Sequence, residues 1–329
     1  MEKNYYILKS GRLKRKDNTL YLETKEGNKP IPINDIHTLY LFGELDLNTK
    51  LLNFLAQNKI LVHLFNYYGF YTGSFYPKEY LQAGLVIVNQ AKFYLDPEKR
   101  LGIAKQFVES ALYNILKNIS HYKNEGKDVE ETLEKIREYM KGIPDVKSIS
   151  ALMGIEGSSR NCYYRCFDKI LRSGFEFEKR TRRPPENMIN CLISFGNSLL
   201  YTSCLTEIYH TQLNPSVSFL HEPFERRFSL ALDIAEIFKP IIVDKIIFNL
   251  INNQIIKESH FDKKLNFCYL NEDGRRLFLQ QFDEKLKTTI NHKDLKRKVS
   301  YQYLIRLECY KLIKHLLEDK EYKGFQIWW

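Results

Sequence analysis

The stretch FLHEPFERRFSLALDIAEIFKP, residues 219–240, carries an imidazole, His221, and two carboxylates inside its apolar helical run, Asp233 and Glu236. Asp233 and Glu236 are three apart, which on a helix sets them on one face. Their neighbours Leu230, Ala231, Leu232, Ile234, Ala235, Ile237 and Phe238 are apolar, so the helix is built for burial. A buried carboxylate is costly unless it is paired or holds a cation. Pairing with Arg226, Arg227 or Lys239 is the plain explanation. Cation binding is the other, and His221 favours it: the irregular NPSVSF segment before it lets the chain fold back and aim the ring at the same spot.

A third group comes from LMGIEGSSRNCYYRCF, where Glu156 occupies a position that should be apolar and is followed by Gly157, Ser158 and Ser159. Small residues there leave room for a ligand to approach closely. Read singly, Glu156 is an ordinary salt-bridged helix residue. Read together, Glu156, His221 and Glu236, with Asp233 adjacent, form a mixed carboxylate and imidazole set of the type that suits Mg²⁺ or Mn²⁺. A thiolate-free set with open positions fits catalysis on a phosphate better than a structural zinc site.

Between these segments runs EFEKRTRRPPENMINCLISFG, in which Lys179, Arg180, Arg182 and Arg183 form a basic cluster ending at Pro184-Pro185. Such clusters are commonly solvated loops. Arginine also presents a planar donor fork that matches phosphate oxygens, and this cluster lies between two candidate ligand segments, which points to a nucleic-acid backbone.

The elements that must position these groups follow from the period of the sequence. Residues 1–84 read as short strands rich in aromatic and β-branched residues, with a turn at Lys16-Asp17-Asn18 and one helical insertion capped by Asn48. Residues 85–329 carry the helical period, opened by the Asp96-Pro97 cap and punctuated by further prolines. The expected fold is therefore multidomain α+β: an N-terminal β-sandwich-like domain, then a larger all-α domain carrying the candidate site.

Composition agrees with a folded chain of this kind: 329 residues, 44% hydrophobic and 27% charged. A net charge of +10 permits a polyanionic partner without requiring one. The six cysteines form no CxxC pair, and reduced thiols in a cytoplasmic protein are expected. The longest apolar run, near residues 241–251, is broken by Asp244 and Lys245, so no membrane partner is expected.

Four ordered motifs resemble those of the CRISPR-associated adaptation integrase (Cas-one) family over nearly the full length: LMGIEG at 152–157, RRPPENMIN with LISFGNSLL at 182–200, NPSVSFLHEP at 214–223, and RFSLALDIAEIFKP at 227–240 followed by Asp244. The N-terminal text SGRLKRKDNTLYLE, LFGELDL and LFNYYGFYTGSFYPKE is similar to the branch found with type I interference systems. The resemblance implies metal ligation by Glu156, His221 and Glu236, with Asp233 as a neighbouring catalytic acid, and Mg²⁺ or Mn²⁺ as cofactor. Two positions depart from the family pattern: Asn197 stands where tyrosine is common, and Glu236 where aspartate is common.

The resemblance further implies a metal-dependent DNA endonuclease and integrase that joins 3′-hydroxyl ends of spacer DNA to the repeat phosphodiester. Its partners would be double-stranded or branched DNA, a second copy of the chain, and a small companion adaptation protein. Arg160, Arg182, Arg183 and Arg227 are the expected DNA contacts. Three alternatives stay open: a non-catalytic nucleic-acid-binding assembly protein, a phosphoesterase for small substrates using the same ligands, and His221 acting as a general base.

Overall fold

The computed structural model describes residues 2–172, 174–182, 184–223, 228–264 and 267–328. The N-terminal part contains β1 (Lys3–Ile7), β2 (Gly11–Lys16), β3 (Thr19–Thr24), β4 (Gly27–Pro32), β5 (Ile36–Leu41), β6 (Leu45–Asp46), α1 (Thr49–Gln57), β7 (Leu61–Phe65) and β8 (Tyr71–Phe75). They form two four-stranded sheets, ordered β1-β5-β7-β8 and β4-β3-β2-β6. The β2–β3 turn falls where expected, with Asp17 at φ 54°, a left-handed conformation that aspartate tolerates. The Asn48 side chain caps α1 by accepting from the Leu51 amide at 2.9 Å.

Parallel pairing within the first sheet was not expected. β1, β5 and β7 run parallel, and α1 supplies the crossover from β5 to β7 that parallel neighbours need. Period-two alternation then splits β5 and β7 between two cores. Leu39, Leu41 and Val62 join Leu13, Leu20, Phe54 and Leu55 in a core between the sheets and α1. Tyr40, Leu61 and Phe65 face the opposite way, into the core of the helical part.

The helical part comprises α2 (Gly84–Leu95), α3 (Pro97–Asn124), α4 (Glu130–Gly142), α5 (Ile149–Arg165), α6 (Phe167–Ile170), α7 (Met188–Tyr209), α8 (Ser229–Phe238), α9 (Lys245–Asn252), α10 (Glu272–Lys287) and α11 (Tyr301–Leu316). The Asp96 carboxylate caps α3 as its Asp-Pro start predicts, accepting from the Glu98 and Lys99 amides. Two short hairpins depart from the all-helical expectation: β9 (Phe261–Lys264) with β10 (Phe267–Leu270), and β11 (Thr289–Asn291) with β12 (Lys298–Ser300). Strands of three or four residues with exposed lysines carry too little alternation to register as strands in a sequence. All six cysteines are unbridged.

α7 is the axis of the molecule. It is long and apolar enough to cross a membrane by length and composition, yet 78% of that apolar window is buried inside the fold. Gly196 lets it approach its neighbours, because a Cβ there would stand 2.5 Å from Val243 and 2.8 Å from Phe278. The helix face carrying Ser203, Thr206 and Glu207 meets the first sheet. Tyr40 Oη lies 3.2 Å from Ser203 Oγ, His63 Nε2 lies 2.9 Å from Thr206 Oγ1, and His37 Nε2 lies 3.0 Å from Glu207 Oε1. Gln302 and Arg306 of α11 donate to the same Glu207 carboxylate, at 2.9 and 2.6 Å. Three polar groups spaced as one helix face thus lock the sheet that forms one wall of the candidate site.

This junction makes stability depend on pH. Burial lowers the His37 pKa, but hydrogen bonds to Glu2 and Glu207 and the Glu207 charge outweigh it and raise the value to about 9. A group whose folded pKa is raised contributes stability that is complete below its unfolded value, near 6.5, and that is lost as pH climbs through the folded value. Unfolding free energy is expected to fall on the order of 3 kcal/mol between about pH 6.5 and 9. Urea unfolding across that window measures it, and His37→Gln should flatten the slope.

Candidate active site

The carboxylates come from two helices. α5 is capped by Ser148, whose hydroxyl accepts from the Ala151 amide at 3.2 Å, and its i, i+4 spacing places Glu156 beside Arg160. α8 is apolar almost throughout, and of its acids Asp233 is fully buried and Glu236 only 4% exposed. The two have different environments.

Asp233 is fully engaged. One carboxylate oxygen accepts from the backbone N–H of Phe219 at 2.7 Å and of Leu220 at 3.0 Å; the other accepts from the His221 N–H at 3.0 Å and from His221 Nδ1 at 2.7 Å. With four donors on its two oxygens, Asp233 holds the Phe219–His221 backbone and the His221 ring in place. A proton on Nδ1 shared with Asp233 fixes the tautomer and leaves Nε2 as the outward nitrogen. Burial depresses the imidazole's proton affinity, but the Asp233 hydrogen bond and the charges of Asp233 and Glu236 outweigh it, and the pKa rises.

The segment bearing His221 is braced from behind by residues that sequence reasoning did not single out. Gln90 of α2 accepts from the Asn214 amide at 2.8 Å and donates to the carbonyls of Asn214 and Val217. Arg100 of α3 donates to the Phe219 carbonyl at 2.9 Å and to Glu222 at 2.7 Å. Their signal in the sequence is weak, since a polar residue on a long helix reads as surface until its neighbour is known.

Glu236 is held by cations. Arg160 Nη2 donates to its Oε2 at 2.7 Å, and Lys239 Nζ binds its Oε1. Burial opposes ionisation, but Lys239, Arg160 and His221 prevail and bring its pKa down to about 2. Glu156 lies 3.6 Å from Arg160 Nε, and its own pKa is raised by burial and by the repulsion of Glu236. The plain pairing with Lys239 is therefore realised at Glu236. Arg160, expected as a DNA contact, is instead 6% exposed and seated between the two acids. The i, i+4 distance from Glu156 was the signal for that role. Arg226 lies outside the described residues.

These groups line one cavity of about 1040 Å³. Glu156, His221 and Glu236 face it together with Arg180, Arg182 and Lys239; Tyr71 and Ser74 of β8 close it from the sheet side. Arg182 is exposed at its edge. Arg180 is committed to Asn190 Oδ1 at 2.9 Å and Ser194 Oγ at 3.0 Å, which ties the basic loop to α7. Arg183 and Arg227 lie outside the described residues. Among the described residues, no three acidic, histidine or cysteine side chains are gathered into a ready-made metal cage. The donor types suit a hard divalent cation, and Glu236 accepts one bond on each oxygen, from Arg160 and from Lys239.

The family model for "CRISPR associated protein Cas1" matches residues 5–284. The chain belongs to the Cas1 family. Across its whole length it is 53% identical over 328 residues, 99% of this chain and 100% of the other, to a protein of Thermodesulfovibrio yellowstonii named CRISPR-associated endonuclease Cas1 3. A solved Cas1 protein from Thermotoga maritima superposes with a TM-score of 0.90 at 42% identity, covering 98% of this chain and 100% of that one. The fold is shared more distantly with a casposase solved bound to integration product, with TM-score 0.86 at 24% identity over 98% of this chain and 92% of the other. As a Cas1 endonuclease the chain is an enzyme, and the residues its motifs carry, Glu156, His221, Glu236, Arg182 and Lys239, all border the same cavity.

Proposed function

We propose that this Cas1 protein is a divalent-metal-dependent DNA endonuclease and integrase of CRISPR adaptation, which joins the 3′-hydroxyl ends of new spacer DNA to the phosphodiester at the repeat boundary. The observation that carries the reading is His221, its ring held by a fully engaged Asp233 and lining the cavity that it shares with Glu156 and Glu236. Glu156, His221 and Glu236 are the residues that would hold Mg²⁺ or Mn²⁺, which supplies Lewis-acid polarisation of the scissile phosphate. Lys239 and Arg160 balance the charge of the acids. Arg182, with Arg183 and Arg227, steers and seats the DNA backbone. No protein nucleophile is needed, because the attacking group is the DNA hydroxyl or water.

In this reading the strand-rich residues 1–84 form the dimer contact, residues 85–329 carry catalysis, a small companion adaptation protein completes the assembly, and the protein works in the cytoplasm. A second reading, a nucleic-acid-binding assembly protein without catalysis, draws on the engagement of Glu236 by two cations. The two readings separate on Glu156→Ala and His221→Ala. Under the first, both variants lose cleavage and integration in Mg²⁺ or Mn²⁺ by at least about 10²- to 10³-fold while still binding branched DNA. Full turnover by either variant discards the ligand assignment.

A further inference from the structure

Behind the acids of the cavity lies a carboxylate that the proposed reaction does not use. Asp244 closes a single π-helical turn, Pro240–Asp244, in which its N–H donates to the Lys239 carbonyl at 3.1 Å. Such turns are rare and recur at functional sites. Asp244 is fully buried, and among the described residues neither carboxylate oxygen has a hydrogen bond of ordinary geometry, although the Tyr163 hydroxyl acts on it as a donor. Buried carboxylates are nearly always well bonded, so one without a bond of ordinary geometry needs a reason. The groups whose fields act on it most strongly after burial are the guanidinium of Arg160 and the ammonium of Lys239, with the Tyr163 hydroxyl alongside.

Arg160 is incomplete in a matching way. Its Nη2 bonds Glu236, its Nε leans toward Glu156, and its buried Nη1 has no partner. An unfilled donor and a poorly satisfied carboxylate are thus buried within the same group of charges. This matters because a dication arriving at the remaining lone pairs of Glu236 would stand against the cations already bonded to both oxygens, Arg160 and Lys239. A guanidinium released from Glu236 without a new acceptor would remain a buried, unpaired cation next to an incoming dication.

We propose that Asp244 is a positioning residue for the metal-dependent reaction: it receives the Arg160 guanidinium when a divalent cation takes the Glu236 carboxylate. The Asp244 carboxylate forms the second seat of the guanidinium, and Arg160 moves between two carboxylates rather than toward DNA. Asp244 acts through Arg160 and touches neither the metal nor the substrate. The inference rests on the ligand assignment proposed above, so the test must separate the two.

Mn²⁺ binding to the full-length protein, followed by electron paramagnetic resonance, does so with three proteins. The wild type should bind Mn²⁺ and His221→Ala should not; failure of either result removes the ligand assignment itself. With both satisfied, Asp244→Asn should weaken Mn²⁺ binding about 10-fold or more and shrink the rise in melting temperature that Mn²⁺ produces. An Asp244→Asn protein that binds Mn²⁺ as tightly as the wild type overturns the inference. A purely packing role, which would lower the melting temperature equally with and without Mn²⁺, overturns it too. If Asp244→Asn does not fold, the arginine side-chain ¹⁵N resonances of the wild type, with Arg160 assigned by Arg160→Lys, decide the matter. They should shift on adding Mg²⁺, and an unmoved Arg160 signal overturns the proposal.

Discussion

Asp233→Ala is expected to lose about 3–5 kcal/mol of folding stability and most of the DNA cleavage activity, although Asp233 is fully buried. Its two oxygens accept from three consecutive backbone N–H groups, those of Phe219, Leu220 and His221, and from the His221 ring. Alanine strands those amides in a fully buried position. Each unsatisfied buried donor costs roughly 1–3 kcal/mol, and the irregular segment has no regular ladder to re-pair them. The catalytic loss arises separately. Without the acceptor on Nδ1, the imidazole loses both its tautomer and its aim, a defect that ordinarily costs about 10- to 100-fold in metal affinity or activity. Asp233→Asn divides the two effects. Its amide oxygen still accepts two of the donors while its NH₂ faces the others, so it remains folded but cleaves poorly. Urea unfolding and cleavage assays in Mn²⁺ measure each effect. An alanine variant within about 1 kcal/mol of the wild type would mean that the segment is held by Gln90 and Arg100 instead.

How far the sequence foretold this arrangement depends on whether the deciding contact is local. The Asn48 and Asp96 caps and the Asp17 turn are settled within three residues of the signal, and they appear where expected. The strand-to-helix change of period was equally visible, because it sums over many residues. The parallel sheet was not, since alternation along β5 and β7 reveals two faces but not the direction of a neighbour. Nor was the Glu207 junction: a glutamate in α7 and a histidine in β5 lie 170 positions apart and become partners only through the fold.

The site shows the same division. Apolar surroundings marked Asp233, Glu236 and Glu156 as anomalous, and all three prove to be in or behind one cavity. Their counter-ions were harder to assign. Lys239 was considered as a plain partner, which it is, whereas Arg160 was expected as a DNA contact and its place between the two acids was not foreseen. The competing rule, that residues four apart on a helix face each other, governs in its case.

Glu236 carries the second large effect, because it serves two tasks that substitutions can separate. As a buried anion it neutralises Arg160 and Lys239; as a proposed ligand it gives its oxygens to the metal. Glu236→Gln keeps the shape and removes the charge, leaving two cations, one of them nearly inaccessible, without their acid. Breaking a buried pair by removing one partner costs about 3–5 kcal/mol, and the residual charge also repels a divalent ion, so the variant should be both unstable and inactive. Adding Lys239→Met removes one stranded cation and should recover part of the lost stability while recovering no cleavage, a coupling that a double-mutant cycle reads directly. Glu236→Asp, shorter by one methylene, keeps the anion and should retain measurable activity. Were Glu236→Gln alone to cut DNA at the wild-type rate, the acid would be a structural counter-ion only, and its burial between two cations would need no metal to explain it.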